Sequence, residues 1–150
     1  MPELSLAEFA DKVNEIIPVL LKEFSARQAN ELFKGKITLA QFFVLDLLER
    51  EGELKMSGLS RYMKVSTPAM TGIVERLVRE HYLTRISDPQ DRRVIRVRVT
   101  QKGSKLVKKI YEQRRSMIIR IFGRLSESDC RQYLNILTKI KETFTKEGAA

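Results

Sequence analysis

The sequence predicts a mainly α (α+β) fold with one β-hairpin. Over most of the 150 residues, apolar side chains recur at three- and four-residue steps, which is the period of one helix face. One stretch instead alternates with period two, from Leu83 to Ile86 and again from Val94 to Val99, and this predicts two strands around a charged turn. The 43% hydrophobic content is ample for a buried core, so the chain is predicted to be globular.

Several sequence patterns predict where the long helices begin. In three of them, a Ser or Thr is followed three residues later by Glu, Gln or Asp, and such a pair satisfies free backbone N–H groups reciprocally at a helix N-terminus. The pairs are Ser5 with Glu8, Thr38 with Gln41 and Ser126 with Asp129. A further long helix is predicted to begin within residues 100–103.

Two shorter helices lie in the middle of the chain, joined by a tight turn. The first is predicted from about Ser57 to Met63, and residues 64–66 lead into the second, whose N-cap is Ser66. Pro68 falls in the first turn of that helix, where its missing N–H costs nothing. Two helices joined by a three- or four-residue turn form the core of a helix-turn-helix unit, and this segment predicts one.

The second helix of this unit is predicted to bury one side and to leave a small, polar side in solvent. Its apolar residues occupy positions i, i+3, i+4 and i+7, and they are Met70, Ile73, Val74 and Leu77. Small side chains and the positive end of a helix suit the major groove of DNA. The helix alone fits an ordinary amphipathic surface helix equally well, and the hairpin that follows favours the DNA interpretation.

Positive charge is concentrated in the same part of the chain. Residues 52–109 hold 14 Lys and Arg against 5 Asp and Glu, which accounts for the whole net charge of +9 and leaves the remainder neutral. A segregated charge attracts a polyanion and raises the rate of encounter with it. The alternative interpretation is a solvated lysine-rich face without a partner.

The predicted hairpin carries arginines at its tip and on its second strand. Arg92 and Arg93 lie at the tip, where they are suited to a narrow minor groove, because the negative potential of DNA is strongest there. On the second strand, the residues predicted to face the core are Ile95, Val97 and Val99, and those predicted to stay in solvent are Arg96 and Arg98.

The hairpin and the helix after it carry a family resemblance. The segment Asp88-Pro89-Gln90-Asp91-Arg92-Arg93 is followed six residues later by Val99-Thr100-Gln101-Lys102-Gly103. Together these segments resemble the D-x-x-D-R-R wing and the L-T-x-x-G helix start of the MarR family of bacterial and archaeal transcriptional regulators. The resemblance extends over essentially the whole chain, residues 1–150.

This resemblance implies a winged helix-turn-helix fold with long N- and C-terminal dimerisation helices. Residues 38–100 would form the winged-helix DNA-binding lobe, and residues 1–37 and 101–150 the dimerisation helices. The recognition helix, Ser66 to Glu80, would enter a major groove, and the wing would reach into the flanking minor groove. The long apolar stretches outside the basic segment also favour pairing with a second copy, since isolated arms would expose too much hydrocarbon.

The resemblance also implies which residues contact DNA. Arg93 matches the wing arginine that family members insert into the minor groove, and Asp91 matches the carboxylate that holds it in place. Arg92 lies beside them at the tip. The predicted groove or phosphate contacts on the recognition helix are Ser66, Thr67, Pro68, Ala69, Thr71 and Arg76.

The expected function is that of a sequence-specific DNA-binding transcriptional regulator. It would act as a repressor and as a homodimer, on palindromic double-stranded DNA whose half-sites lie about one helical turn apart. Many relatives bind a small phenolic or aromatic-acid effector in a cleft between the dimer helices and the DNA lobe, and Tyr111 and Arg115 are the candidate ligand-binding residues. The alternative is a winged-helix protein-interaction module or a nonspecific architectural DNA-binding module.

Two single residues need their own interpretation. His81 stands where the family usually has Gly after the recognition helix, and it is predicted to be a turn residue with positive φ. Cys130 lies on the last helix and is predicted to be a small buried residue, which disfavours a redox sensor. A lone cysteine cannot form an internal disulfide, and this agrees with a reducing compartment.

The composition argues against an enzyme. With one His, one Cys and no Gly-rich phosphate loop, the chain has no plausible catalytic triad or nucleotide site, and no cofactor is expected. No Cys or His pair has the spacing of metal ligands, so no metal is expected either. Neither a signal peptide nor an apolar run of the roughly 20 residues that span a bilayer is found, so a cytoplasmic protein without a membrane partner is expected.

Overall fold

The computed structural model of this protein describes residues 4–27, 34 and 36–148. That part of the chain contains six helices and three strands, so the mainly α (α+β) prediction is confirmed. The elements in chain order are α1 (Leu6–Arg27), α2 (Leu39–Glu51), β1 (Leu54–Lys55), α3 (Met56–Met63), α4 (Thr67–Arg79), β2 (Leu83–Ser87), β3 (Ile95–Val99), α5 (Gln101–Phe122) and α6 (Glu127–Glu147).

The chain divides into two compact units, residues 1–110 and 111–150. The first unit holds α1 to α4, the strands and the beginning of α5, and the second holds the rest of α5 and α6. Leu106, Val107 and Ile110 of α5 are buried in the core of the first unit. No described helix is both long enough and apolar enough to cross a membrane.

The predicted helix starts are confirmed by their hydrogen bonds. At α2, the Thr38 hydroxyl accepts from the backbone N–H of Gln41 at 3.2 Å, and the Gln41 side chain accepts from the backbone N–H of Thr38 at 2.9 Å. The same reciprocal pattern opens α1 and α6. Because each pattern satisfies two otherwise free donors, these boundaries are set by local sequence.

A small antiparallel sheet completes the first unit. Its strand order is β1-β3-β2, with β3 in the centre. Leu83 pairs with Val99 and Arg85 with Val97 in the β2–β3 hairpin, while Leu54 of β1 pairs with Val97 from the other side. The two strands of the hairpin were predicted, whereas β1 was not, because two residues are too few to show a period of two.

The helix pair and the sheet share one hydrophobic core. From α4, the buried residues are Met70, Val74 and Leu77, with Ile73 partly buried, as the sequence pattern predicts. Val97 of β3 is completely buried and Val99 packs against the core. Ile95 is only half-buried, so its predicted place in the core is corrected: it lies at the end of the sheet next to the turn. Together α3, α4 and the hairpin form a winged helix-turn-helix arrangement.

The first turn of α5 packs closely against the chain that links α4 to β2. The Thr100 hydroxyl donates to the carbonyl oxygen of His81 at 2.6 Å, and the Thr100 backbone N–H donates to that of Tyr82 at 3.0 Å. Lys102 Nζ donates to the carbonyl oxygen of Glu80 at 2.8 Å. We call residues 80–82 and 100–103 the α4–α5 junction. It gives the T-x-x-G sequence a structural role.

Gly103 allows this close approach. A Cβ at this position would clash with the carbonyl oxygen of Tyr82 and lie 2.8 Å from Cγ1 of Val99. The clashing atoms belong partly to the backbone, which cannot turn away as a side chain can. The glycine is therefore required by the packing of α5 on the hairpin.

Gly103→Ala is expected to lower the free energy of unfolding by about 1–3 kcal/mol, because an extra carbon is forced into a packed site. Gly58→Ala on α3 is the matched control, since a Cβ there meets nothing within 4 Å. The control should raise stability by about 0.5–1 kcal/mol through helix propensity. Urea denaturation of both variants checks this, and equal stability of the two would contradict the assigned role of Gly103.

Candidate nucleic-acid interface

The N-terminal end of α4 is open to solvent. Ser66 is its N-cap, and the Ser66 hydroxyl accepts from the backbone N–H of Ala69 at 3.3 Å. Thr67, Pro68 and Ala69 are exposed, whereas Met70 directly after them is fully buried. This end of the helix therefore presents short side chains and the positive end of the helix dipole to solvent.

The other two predicted contacts on α4 differ from each other. Thr71 is half-buried, and its hydroxyl donates to the carbonyl oxygen of Thr67 at 2.9 Å. Arg76 is exposed and lies five residues farther along the helix. Thr71 therefore has its hydroxyl proton engaged by the main chain, which leaves its oxygen lone pairs and its methyl group for a partner.

The turn of the wing is organised by Asp88. Its Oδ1 accepts from the backbone N–H groups of Gln90 at 2.9 Å and Asp91 at 3.4 Å, and its Oδ2 accepts from Nε of Arg96 at 2.6 Å. The Asp88 backbone N–H donates to the carbonyl oxygen of Val94 at 2.9 Å, which closes the turn. One buried carboxylate thus holds both sides of the loop between β2 and β3.

Arg96 therefore differs from its prediction. It was expected to stay in solvent by strand alternation, but its side chain is only 32% exposed and forms an ion pair with Asp88. Arg98, the next residue on that side of β3, is exposed, and its guanidinium lies 3.5 Å from the Glu53 carboxylate. The sequence showed no signal for the Asp88–Arg96 pair, since the two residues meet only when the hairpin closes in this register.

The pKa of Asp88 is held below its ordinary value. The hydrogen bond from the Arg96 guanidinium is the main cause, and the backbone N–H of Gln90 adds to it. Hydrogen bonds from donors favour the charged form of a carboxylate. Asp88 is therefore ionised throughout the neutral range, and the turn keeps its geometry there.

The two arginines at the tip of the wing take no part in this buried pair. Asp91 accepts from the backbone N–H of Arg93 at 3.0 Å, so it acts on the main chain of the wing arginine. Arg92 and Arg93 are both exposed. Among the described residues, no carboxylate pairs with either guanidinium or with that of Arg76, so these cations are available to an anionic partner.

The turn after α4 is formed as predicted. His81 has φ 62, in the left-handed region, and its backbone N–H donates to the carbonyl oxygen of Val78 at 3.0 Å. The conformation that glycine usually supplies is thus adopted by a histidine, and the α4–α5 junction holds its carbonyl group. The reading of His81 as a turn residue is confirmed.

The remaining candidate residues lie in the second unit. The Tyr111 side chain is 44% exposed, with the guanidinium of Arg114 located 5.6 Å from its ring centroid, and Arg115 is exposed. Cys130 is partly buried, and its thiol donates to the carbonyl oxygen of Phe122 at 3.6 Å.

Comparison with known proteins identifies the fold and its relatives. A sequence model of the MarR family matches residues 37–95. The HTH-type transcriptional repressor MdtR from Bacillus subtilis (strain 168) is 27% identical over 126 residues, which are 84% of this chain and 81% of that protein. A MarR family protein from Bacillus stearothermophilus has a similar structure, with a TM-score of 0.75, 26% identity and coverage of 97% of this chain and 99% of that one. RV1404 from Mycobacterium tuberculosis also has a similar structure, with a TM-score of 0.79, 25% identity and coverage of 95% of this chain and 96% of that one.

The open helix end, the ordered wing and these likenesses define a winged helix-turn-helix protein. Residues 37–95 are similar to the MarR family, and the chain as a whole has a structure similar to that of a MarR family protein. Its relatives include HTH-type transcriptional regulators, one of which is described as a repressor.

Asp88→Asn is expected to make stability less dependent on pH in acid. Because the folded pKa of Asp88 lies below the unfolded value of about 3.9, its stabilising effect is fully present above that pH and is lost as pH falls through the folded pKa. The variant should be less stable than the wild type at neutral pH, and the difference should shrink below about pH 4. Urea denaturation at several pH values measures this.

Arg96→Met is the companion variant, because it removes the main cause of the lowered pKa. It should also reduce the acid-dependent part of the stability difference. A gap between wild type and Asp88→Asn that stays constant from neutral to acid pH would show that the ionised carboxylate does not stabilise the wing.

Proposed function

We propose that this protein is a DNA-binding transcriptional regulator, and that it acts as a repressor that binds a palindromic operator as a homodimer. Each α4 enters a major groove, and each wing reaches into the adjacent minor groove. The observation that carries this proposal is the pairing of an open, small-residue end of α4 with unpaired arginines at an ordered wing tip. The relative MdtR is described as a repressor, which supports the sign of regulation. Action on chromosomal DNA would place the protein in the cytoplasm.

The exposed arginines support binding to duplex DNA. Arg76, Arg92 and Arg93 have no carboxylate partner in the described part of the chain, so binding phosphates breaks no ion pair. Most hydrogen bonds between proteins and DNA go to the backbone, whereas base edges supply specificity. We therefore assign the base contacts to four residues of α4, which are Thr67, Pro68, Ala69 and Thr71. The arginines are assigned to phosphates or to the minor groove. Ser66 and Asp91 order the start of α4 and the tip of the wing.

The exposed apolar side chains support a homodimer. In the described chain, α6 buries no residue, and α1 exposes a similar row of large apolar side chains. A monomer with so much exposed hydrocarbon would associate in water. A second copy covers such faces with closed twofold symmetry, which also matches a palindromic site. The exposed residues include Phe9, Ile16, Ile17 and Leu20 of α1 and Leu134, Leu137, Ile140 and Phe144 of α6.

A small phenolic or aromatic acid is proposed as the effector that relieves repression. Tyr111 presents an exposed aromatic ring close to the Arg114 guanidinium, and Arg115 is exposed beside them in sequence. An aromatic ring and a cation are the groups that an amphipathic aromatic acid would need. Binding would weaken repression if the effector preferred a dimer whose recognition helices are wrongly spaced for DNA.

Arg93→Ala is expected to weaken operator binding more than tenfold, because it removes an exposed guanidinium that no carboxylate of the described residues pairs with. The slope of log affinity against log salt should also fall by roughly one unit if the contact is to phosphate. Gel-shift titrations at several salt concentrations, with a site selected from genomic fragments, measure both quantities.

Arg131→Ala is the matched control for charge, since Arg131 lies on α6 and pairs with Glu127. It should leave both the affinity and the salt slope unchanged. Equal binding by wild type and Arg93→Ala would remove the wing from the interface. Binding without preference among fragments would instead favour a nonspecific architectural protein.

Leu137→Glu on α6 is expected to shift the protein from dimer to monomer at micromolar concentration, because a charge would be placed in an apolar interface. Asn135→Glu on the same helix introduces the same charge at an exposed polar position and should leave the dimer intact. Analytical ultracentrifugation measures the assembly state. A monomeric wild-type protein would contradict the homodimer.

A further inference from the structure

The solvent face of α4 carries an acidic side chain at its centre. Glu75 is exposed, and the same face contains Gly72 one turn before it and Arg79 one turn after it. The opposite side of the helix is the buried side of Met70, Val74 and Leu77. The carboxylate therefore lies near the middle of the surface through which α4 would approach DNA.

An arginine on β2, the first strand of the wing, forms an ion pair with this carboxylate. The Arg85 guanidinium lies 4.0 Å from Oε1 of Glu75, with the two side chains 42% and 54% exposed. Arg85 pairs with the buried Val97 across the hairpin and follows the buried Leu83 by two residues, which places it on the side of β2 that packs against α4. The sheet therefore places the Arg85 guanidinium at the edge of the solvent face of α4.

This ion pair has little value for folding. Exposed pairs of this kind contribute little to stability, because water and salt screen them. The separation of 4.0 Å also exceeds hydrogen-bond distance, so both oxygens of Glu75 remain free to accept hydrogen bonds. The pair nevertheless places a positive charge beside the carboxylate, which reduces its repulsion of DNA phosphates.

Base chemistry restricts what such a carboxylate can contact in a major groove. A carboxylate only accepts hydrogen bonds, and the major-groove edges of guanine and thymine present acceptors that repel it. Adenine offers an amino group beside its N7 acceptor, whereas cytosine offers its N4 amino group alone. Gly72 leaves open space on the same face, since even a Cβ there would meet nothing within 4 Å, so a base edge can come close.

We propose that Glu75 is a specificity-determining residue that accepts a hydrogen bond from the N4 amino group of a cytosine in each half-site. Arg85 acts as a positioning residue, because it offsets the charge of Glu75 near the phosphates. This inference rests on the proposed function, in which α4 enters the major groove. It assigns one base, cytosine, to one residue of α4. It also implies that Glu75 lowers the affinity for DNA of any sequence, since its negative charge repels the phosphates.

The test compares Glu75→Gln with the wild type on two kinds of DNA. The wild type first selects its operator from a random pool of duplexes. The cytosine that it selects in each half-site is then replaced by thymine. Glu75→Gln should reduce the preference for cytosine over thymine about tenfold, because an amide can donate to thymine O4. It should also bind an unrelated duplex more tightly than the wild type does, because a negative charge is removed.

Two further variants separate base recognition from charge. Glu112→Gln removes an exposed carboxylate from α5 and should leave the base preference unchanged. Arg85→Ala should weaken binding to every duplex and retain the preference for cytosine. If Arg85→Ala lost that preference as Glu75→Gln does, the ion pair alone would explain the effect and the proposed base contact would be wrong.

The remaining outcomes are also decisive. An unchanged base preference in Glu75→Gln, with operator binding retained, would overturn the role of Glu75 and leave the proposed function intact. A wild-type protein that selects no sequence would overturn the proposed function, and the base assignment with it. Circular dichroism of each variant establishes that the comparison is made between folded proteins.

Discussion

The first turn of α5 packs directly against the chain segment between α4 and β2, and both parts of the proposed DNA-binding surface, α4 and the wing, extend from this contact. Gly103 lies so close to the Tyr82 carbonyl group that a Cβ would not fit, and Thr100 donates hydrogen bonds to the carbonyl oxygens of His81 and Tyr82. His81 reverses the chain there with a positive φ. Because these atoms are tightly packed, α4 and the hairpin leave the junction in defined directions, although none of the junction residues is a predicted DNA contact.

Arginine serves two different purposes in the wing. Arg96 is partly buried within the wing, where it forms an ion pair with Asp88 and helps to order the turn. Arg92 and Arg93 are held outside it, with their guanidinium groups exposed. The ordered turn limits the conformations of the tip before any partner binds, and less entropy is then lost on binding. A count of positive charges cannot separate these roles, since it weighs every arginine equally.

In the proposed complex, the exposed surface would combine general attraction to DNA with discrimination between bases. Under the proposed function, the exposed arginines of α4 and the wing tip would favour any duplex, because phosphate contacts carry no sequence information. A carboxylate such as Glu75 works against that general attraction and is useful only if it distinguishes one base from another. The apolar faces of α1 and α6 have a separate consequence, since a second copy that covers them would set the distance between two such surfaces.

Much of this protein could be read from local sequence. Capping pairs, helix periodicity and the short turn before Ser66 act within a few residues, so the helices, the hairpin and the open end of α4 were predicted correctly. Other features depend on segments that are distant in sequence, such as Leu54 pairing with Val97 and Gly103 meeting Tyr82. The partner of Arg96 likewise follows from strand register, and alternation alone placed it wrongly in solvent. Local chemistry sets where elements begin and end, whereas their contacts depend on how the folded chain brings them together.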